Sequence, residues 1–123
     1  MVTESDVLKC ISDEKCREML GGIVERAPLS ISNLKLTRKQ YYSRLHNLRI
    51  CGLIQKTNGR YRLTSFGKVI FDWHLVIGDT IAKEYWKLRA IDMLGSSGIP
   101  DSERSKMVDT LIENEKLKQF LNR

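Results

Sequence analysis

Acidic residues are missing from the middle of the chain. No Asp or Glu occurs between Arg26 and Phe71, a stretch of 46 residues that contains ten basic side chains. The other 77 residues carry 11 basic and 15 acidic side chains, a net charge of −4. Because a solvated surface normally mixes charges of both signs, a segment without acids creates a field that attracts polyanions. We call residues 26–71 the cationic block; its basic residues are Arg26, Lys35, Arg38, Lys39, Arg44, Arg49, Lys56, Arg60, Arg62 and Lys68.

Long hydrophobic runs are also absent. Apolar stretches extend only a few residues before a charge interrupts them, well short of the ~18 residues that span a bilayer. No membrane-spanning segment is therefore expected. The start of the chain, Met1 to Asp6, has neither the basic nor the apolar region of a secretory signal, so a cytoplasmic location is expected. With two prolines, 41% apolar and 29% charged residues, the 123-residue chain has the composition of a globular protein.

Cysteines are few and odd in number. Cys10, Cys16 and Cys51 predict reduced thiols rather than a disulfide framework. Their spacing matches no metal-binding pattern, and His74, beside Trp73, is expected to have a structural role. The sequence therefore predicts no metal site.

Catalytic motifs are missing as well. The chain has no glycine-rich phosphate loop, no pair of histidines in zinc-ligand spacing and no nucleophile elbow. Within the cationic block, acid–base chemistry would depend on His46 alone. We therefore expect a protein that is not an enzyme, that uses no cofactor and that shows no evident small-molecule ligand.

The N-terminal part of the chain predicts short helices. Thr3 to Asp6 has the spacing of a capping box, which opens the first helix, and Ser12 is expected to cap a second helix over residues 13–25. Ala27-Pro28 is expected to end that helix. The following segment, Ser30 to Leu34, has room for only one or two turns.

A helix capped by Thr37 and running to Cys51 carries most of the functional interpretation. Tyr41, Leu45 and Leu48 recur at helical spacing and predict the buried face. On the opposite face every side chain can donate or accept hydrogen bonds, and none is acidic. Such a face suits insertion into a DNA major groove, whereas an ordinary solvated face would normally include Asp or Glu. Lys39, Ser43 and His46 point most directly outward, flanked by Gln40, Tyr42 and Asn47, with Arg38 at the helix start. The predicted DNA contacts on this helix are these seven residues and Arg44.

The next segment predicts a hairpin and then a long helix. Asn58-Gly59 is a strong type I′ turn signal, because both central residues of that turn need a positive φ. Apolar residues then recur every three or four positions over residues 66–94, with Gly78 as a candidate kink. Such a helix can form a dimer interface, although its first half can equally cover the core of its own monomer. The dimerisation residues are predicted to be Trp73, Ile77, Ile81, Tyr85, Leu88 and Phe120.

The cationic block resembles the winged helix-turn-helix domains of ArsR- and MarR-like prokaryotic transcription regulators. The resemblance lies in the run from Thr37 to Ile54, the basic hairpin that follows it, and Leu63-Thr64-Ser65-Phe66-Gly67. Small size and a helical C-terminal tail add a resemblance to archaeal one-domain regulators. The resemblance implies a mostly α fold with a small β-hairpin wing and long C-terminal helices. The implied domains are a DNA-binding domain over residues 1–70 and a dimerisation extension over residues 71–123.

Carried over to this chain, the resemblance implies a recognition helix at 37–51 and a basic wing at 54–63. The segment from Ser30 to Thr37 is about one helical turn shorter than the second helix and turn of those families. The implied base-reading residues are Arg38, Lys39, Gln40, Tyr42, Ser43 and His46, and the implied phosphate contacts are Lys56, Arg60 and Arg62.

Two functions from different classes follow. The first is a transcriptional regulator that binds double-stranded DNA as a homodimer. The second is a winged-helix assembly module whose basic face binds an acidic protein, because a fold does not fix a function. Binding of single-stranded RNA is a third possibility, but Tyr42 alone offers a clearly exposed aromatic ring for base stacking. As a partner of the cationic block, an anionic membrane surface ranks well behind nucleic acid.

Overall fold

The computed structural model describes residues 1–26 and 30–123. The chain is mostly helical with one antiparallel hairpin, and it divides into two compact units, Met1–Leu75 and Val76–Arg123. The boundary expected after residue 70 and the boundary between these units both fall within helix α5. The elements are α1 (Glu4–Ser12), α2 (Glu14–Val24), α3 (Ile31–Leu34), α4 (Arg38–Ile50), β1 (Ile54–Thr57), β2 (Arg60–Leu63), α5 (Ser65–Asp79), a π-helical turn (Thr80–Glu84), α6 (Tyr85–Gly95), α7 (Asp101–Leu111) and α8 (Glu115–Leu121).

The first two helices begin at side-chain caps. Thr3 and Asp6 form the expected capping box, in which each side chain accepts a hydrogen bond from the other residue's backbone N–H at 3.1 Å. The cap of α2 is Asp13 rather than Ser12, because the Ser12 hydroxyl donates back to the Lys9 carbonyl at the end of α1. Helix α2 ends at Val24; Ala27 and Pro28, which were expected to end it, lie outside the described residues.

Helix α4 is fixed at both ends. At its start, the Thr37 hydroxyl accepts from the Gln40 N–H at 3.1 Å, and the Gln40 side-chain oxygen accepts from the Thr37 N–H at 3.0 Å. At its end, Gly52 takes a φ of 76°, and the Leu53 N–H donates to the Leu48 carbonyl at 3.0 Å. These are a capping box and a Schellman motif, which satisfy backbone groups that a helix leaves unpaired. The preceding helix, α3, has only four residues.

The core of the first unit lies beneath α4 and the start of the hairpin. Met19, Leu48 and Leu53 are completely or almost completely buried, and Tyr41 and Leu45 point inward as the helical spacing predicts. The other buried members of this core are Cys10, Cys16, Leu20, Ile23, Leu34, Cys51 and Ile54.

The hairpin is closed by the Asn58-Gly59 turn. These two residues have φ values of 53° and 77°, as a type I′ turn requires, and β1 pairs with β2 from Ile54 opposite Leu63 to Thr57 opposite Arg60. The hairpin predicted from this dipeptide is therefore present.

Thr64 joins the base of the hairpin to helix α5. Its backbone N–H donates to the Leu53 carbonyl at 3.0 Å, and its hydroxyl donates to the Gly52 carbonyl. The same hydroxyl accepts from the Gly67 N–H at 2.9 Å. Gly67 is buried against the Leu53 backbone, where a side chain would have no room. The start of α5 is thus held by backbone contact.

The helical stretch predicted over residues 66–94 is present in three parts. A π-helical turn at Thr80–Glu84 separates α5 from α6, and the Thr80 hydroxyl donates to the Val76 carbonyl at 2.6 Å just before it. Such side-chain bonds compete with the backbone ladder of a helix. In the second unit, Ile91, Val108 and Ile112 form a small core with partly buried Leu88, Leu111, Leu117 and Leu121. Across residues 1–26 and 30–123, no helix is long and apolar enough to cross a membrane.

Candidate nucleic-acid interface

The outward face of α4 is exposed, and α4 itself contains no Asp or Glu. Lys39, Ser43 and His46 are exposed along the middle of this face. Tyr42 is 52% exposed, and its ring packs edge-on against the buried Tyr41 ring at 5.1 Å between centroids. The remaining exposed members of the predicted set on this helix are Arg38, Gln40 and Asn47.

Arg44 differs from the other predicted contacts because it is ion-paired. Its guanidinium nitrogens approach the two carboxylate oxygens of Asp13 at 3.2 Å each, and a third nitrogen donates to the Gln40 carbonyl at 3.3 Å. This bidentate pair joins the middle of α4 to the cap of α2. The structure therefore uses Arg44 to hold α4 in place, and its charge is compensated by an acid from outside the cationic block.

Asp13 is held in its charged form. Burial raises the pKa of this carboxyl, but hydrogen bonds from the Cys16 N–H and from the Arg44 guanidinium outweigh the effect of burial. The net result is a pKa below its usual value. Asp13 therefore stays charged, caps α2 and pairs with Arg44 at the same time.

Gln40 has a structural role as well as an exposed position. Its side-chain oxygen is engaged in the capping box with Thr37. A bidentate contact with adenine needs both the oxygen and the nitrogen of such an amide. To bind a base in that way, Gln40 must share its oxygen with the cap or give the cap up.

The hairpin separates its three predicted phosphate contacts onto two faces. Side chains alternate along a strand, so Arg60 and Arg62 lie on the same face, together with Gln55, and all three are exposed. Lys56 lies on the other face, where its ammonium group is 5.6 Å from the centre of the Tyr61 ring. Arg60 and Arg62 are therefore the paired cations of the hairpin.

The residues predicted for dimerisation are mostly exposed apolar side chains. Ile77, Ile81 and Phe120 are more than 60% exposed, and Trp73 and Tyr85 are 58% and 48% exposed. Leu88 is partly buried instead, because it packs on the Ile91, Val108 and Ile112 core of its own unit. The sequence pattern did not indicate Trp86, which is 77% exposed and adjoins the Tyr85 ring. Trp86 was not indicated because it directly follows Tyr85 and therefore lies outside the series of apolar residues spaced by three or four positions.

Metal-binding groups do not gather in the part of the chain that the structure describes, where no cluster of three or more His, Cys, Asp or Glu side chains could hold an ion. The three cysteines are all buried and free. No protein-family model, characterised protein or solved structure matches the chain significantly.

Proposed function

We propose that the protein is a DNA-binding transcription regulator with a winged helix-turn-helix fold. Helix α4 enters the major groove, and the hairpin contacts phosphates. The observation that carries this proposal is the exposed face of α4, which presents hydrogen-bonding and cationic side chains and no carboxylate of its own. The resemblance of the run from Thr37 to Ile54 to ArsR- and MarR-like regulators supports the same assignment.

The geometry of α4 supports a role in groove binding. A major groove admits an α-helix, and base edges there are recognised by donors and acceptors on one helix face. The capping box and the Schellman motif fix both ends of α4, so little order is lost on binding. Lys39, Ser43 and His46 are placed to contact bases, and Arg38 lies at the first turn.

The hairpin supports a role in phosphate binding. Arg60 and Arg62 share one exposed face, which allows both to face the same strand of a duplex. Phosphate contacts position a protein on DNA and supply salt-dependent affinity, whereas base contacts provide selectivity. Lys56, on the opposite face, contributes less.

The apolar side chains exposed in the second half of the chain support a homodimer. Ile77, Ile81 and Phe120 are large apolar residues in contact with solvent. A contiguous exposed patch of such residues is typical of an interaction surface. A dimer with two-fold symmetry binds half-sites about one helical turn apart.

Fluorescence anisotropy with a random duplex of roughly 30 base pairs, measured at several salt concentrations, tests DNA binding. The logarithm of the affinity should fall linearly with the logarithm of the salt concentration. Arg62→Ala should lower the slope by about one. Lys106→Ala, which removes an exposed cation outside the block, should leave the slope unchanged. Absence of binding at low salt would refute the proposal and favour an acidic protein partner.

Gln40→Glu is a sharper test of the α4 face. Glutamate also completes a capping box, so the helix keeps its start and the thermal midpoint should stay unchanged. The substitution places a carboxylate on the face that is proposed to meet the DNA. We expect at least a tenfold loss of duplex affinity, and equal affinity for the two proteins would place the DNA elsewhere.

A further inference from the structure

Two buried thiols meet in the core of the first unit. The sulfur atoms of Cys10 and Cys51 are 3.2 Å apart, although 41 residues separate them in the sequence. Cys10 lies in α1, and Cys51 is the residue that ends α4. A disulfide bond is about 2.05 Å long, so the two sulfurs are roughly one ångström from bonding distance.

The surroundings hold the two sulfurs towards each other. The Cys51 thiol also lies 3.6 Å from the Asp6 carbonyl of α1, and the Cys10 thiol lies 3.8 Å from the Asn47 carbonyl of α4. Each thiol therefore points into the opposite helix. Cys16, the third buried cysteine, lies in α2.

The Cys10 thiol is protonated at neutral pH. Burial raises the pKa of the Cys10 thiol to about 12, and the contact with Cys51 adds to the rise. Since the thiolate is the reactive form, oxidation is expected to be slow and to accelerate with pH. Both residues are buried, with 8% of Cys10 and 5% of Cys51 exposed, so the low access of an oxidant also slows the reaction.

We propose that Cys10 and Cys51 are a site of oxidative modification that forms an intramolecular disulfide with a two-electron oxidant of the peroxide class. One thiolate attacks a peroxide oxygen; the S–O bond forms, the O–O bond breaks, and the released hydroxide leaves as water after taking up a proton. The second thiol then attacks the sulfenic sulfur, the S–S bond forms, and a second water leaves. Two thiols are oxidised and one hydrogen peroxide is reduced.

The disulfide ties α1 to the end of α4. The N-terminal helix and the turn that leads into the hairpin then become one covalent unit, and the closed loop contains α2, α3 and α4. A crosslink across a loop of this length restrains the unfolded chain, so the oxidised protein should unfold at a higher temperature. Formation of this disulfide does not depend on DNA binding.

Peptide mapping of the full-length protein after treatment with hydrogen peroxide is the direct test. Trypsin places the three cysteines on separate peptides, namely residues 10–15, residues 16–17 and residues 50–56. We expect a crosslinked pair of peptides 10–15 and 50–56 under non-reducing conditions. Titration of the denatured protein should find one thiol instead of three, and dithiothreitol should restore all three.

Cysteine variants distinguish the Cys10–Cys51 disulfide from other oxidation products. Cys16→Ser should form the same crosslink as the natural protein, and Cys51→Ala should form none. If Cys51→Ala does not fold, the wild-type map and its thermal midpoint with and without dithiothreitol still decide the question. Three titratable thiols after peroxide treatment, a crosslink through peptide 16–17, a disulfide between two molecules, or a higher oxidation state in place of the crosslink would each overturn the proposal.

Discussion

Replacement of Gly67 by alanine should disrupt the junction between the hairpin and α5. A Cβ at this position would lie 2.8 Å from the Leu53 carbonyl carbon and 3.1 Å from the Leu53 Cα, and it would overlap the carbonyl oxygen. All three atoms belong to the backbone, so no side chain can move aside. The favourable separation of carbon atoms is about 3.5–4.0 Å, and the helix must therefore shift by roughly an ångström.

Such a shift has a calculable cost. Overpacking of this kind destabilises a protein by about 1–3 kcal/mol. The shift also weakens the hydrogen bond from the Thr64 N–H to the Leu53 carbonyl, which contributes about 1 kcal/mol. Alanine recovers about 1 kcal/mol because it favours a helix more than glycine does. The expected net loss is about 2 kcal/mol, or a fall of about 10 °C in the thermal midpoint of a unit of this size.

Gly78→Ala is the matched control in the same helix. Apart from its chain neighbours and the backbone of its own helix, no described atom lies within 4 Å of the position where its Cβ would be. Only the helix preference therefore acts, and a gain of about 0.5–1 kcal/mol is expected. Thermal unfolding followed by circular dichroism compares the two variants with the natural protein. If Gly67→Ala were as stable as Gly78→Ala, the close approach of α5 to Leu53 would be refuted.

Three further predictions concern single side chains. Asp13→Asn keeps the helix cap but loses the ion pair with Arg44. Because folding lowers the pKa of the Asp13 carboxyl, the variant should be about 0.5–1 kcal/mol less stable than the natural protein at pH 7, and this difference should vanish as pH falls below 3.8. An equal difference in urea unfolding at pH 7 and below pH 3.8 would contradict this. Thr64→Val removes the hydroxyl bonded to Gly52 and Gly67 and should cost about 1–2 kcal/mol in urea unfolding, whereas Thr64→Ser should recover most of it. Ile77→Glu should halve the mass measured by light scattering without changing the circular dichroism spectrum, and a monomeric natural protein would refute the dimer.

Local signals in the sequence predicted the local structure. Thr37 with Gln40 specifies a helix start because both hydrogen bonds are made within four residues. Asn58-Gly59 specifies the hairpin turn because few residue pairs accept two positive φ angles. The exposed face of α4 likewise follows from the helical period of its buried residues.

Contacts between distant residues were not predictable in the same way. Asp13 and Arg44 are 31 residues apart, and nothing in their neighbourhoods indicates that α2 and α4 bring them together. Their pairing gives Arg44, a predicted DNA contact, a role within the fold. The contact between Cys10 and Cys51 has the same origin, because it depends on how two helices pack and not on the spacing of the cysteines.

The hydrogen bonds of Thr64 hold the two ends of the hairpin together. Thr64, which follows residues 54–63, donates hydrogen bonds to the carbonyls of Gly52 and Leu53, which precede them. Extra residues inserted at Asn58-Gly59 should lengthen the hairpin without displacing α4 or α5, and the entropy of closing a longer loop rises only slowly. Insertion at the Asn58-Gly59 tip should thus change the length of the hairpin alone. Substitution at its base should instead change how α4 and α5 pack.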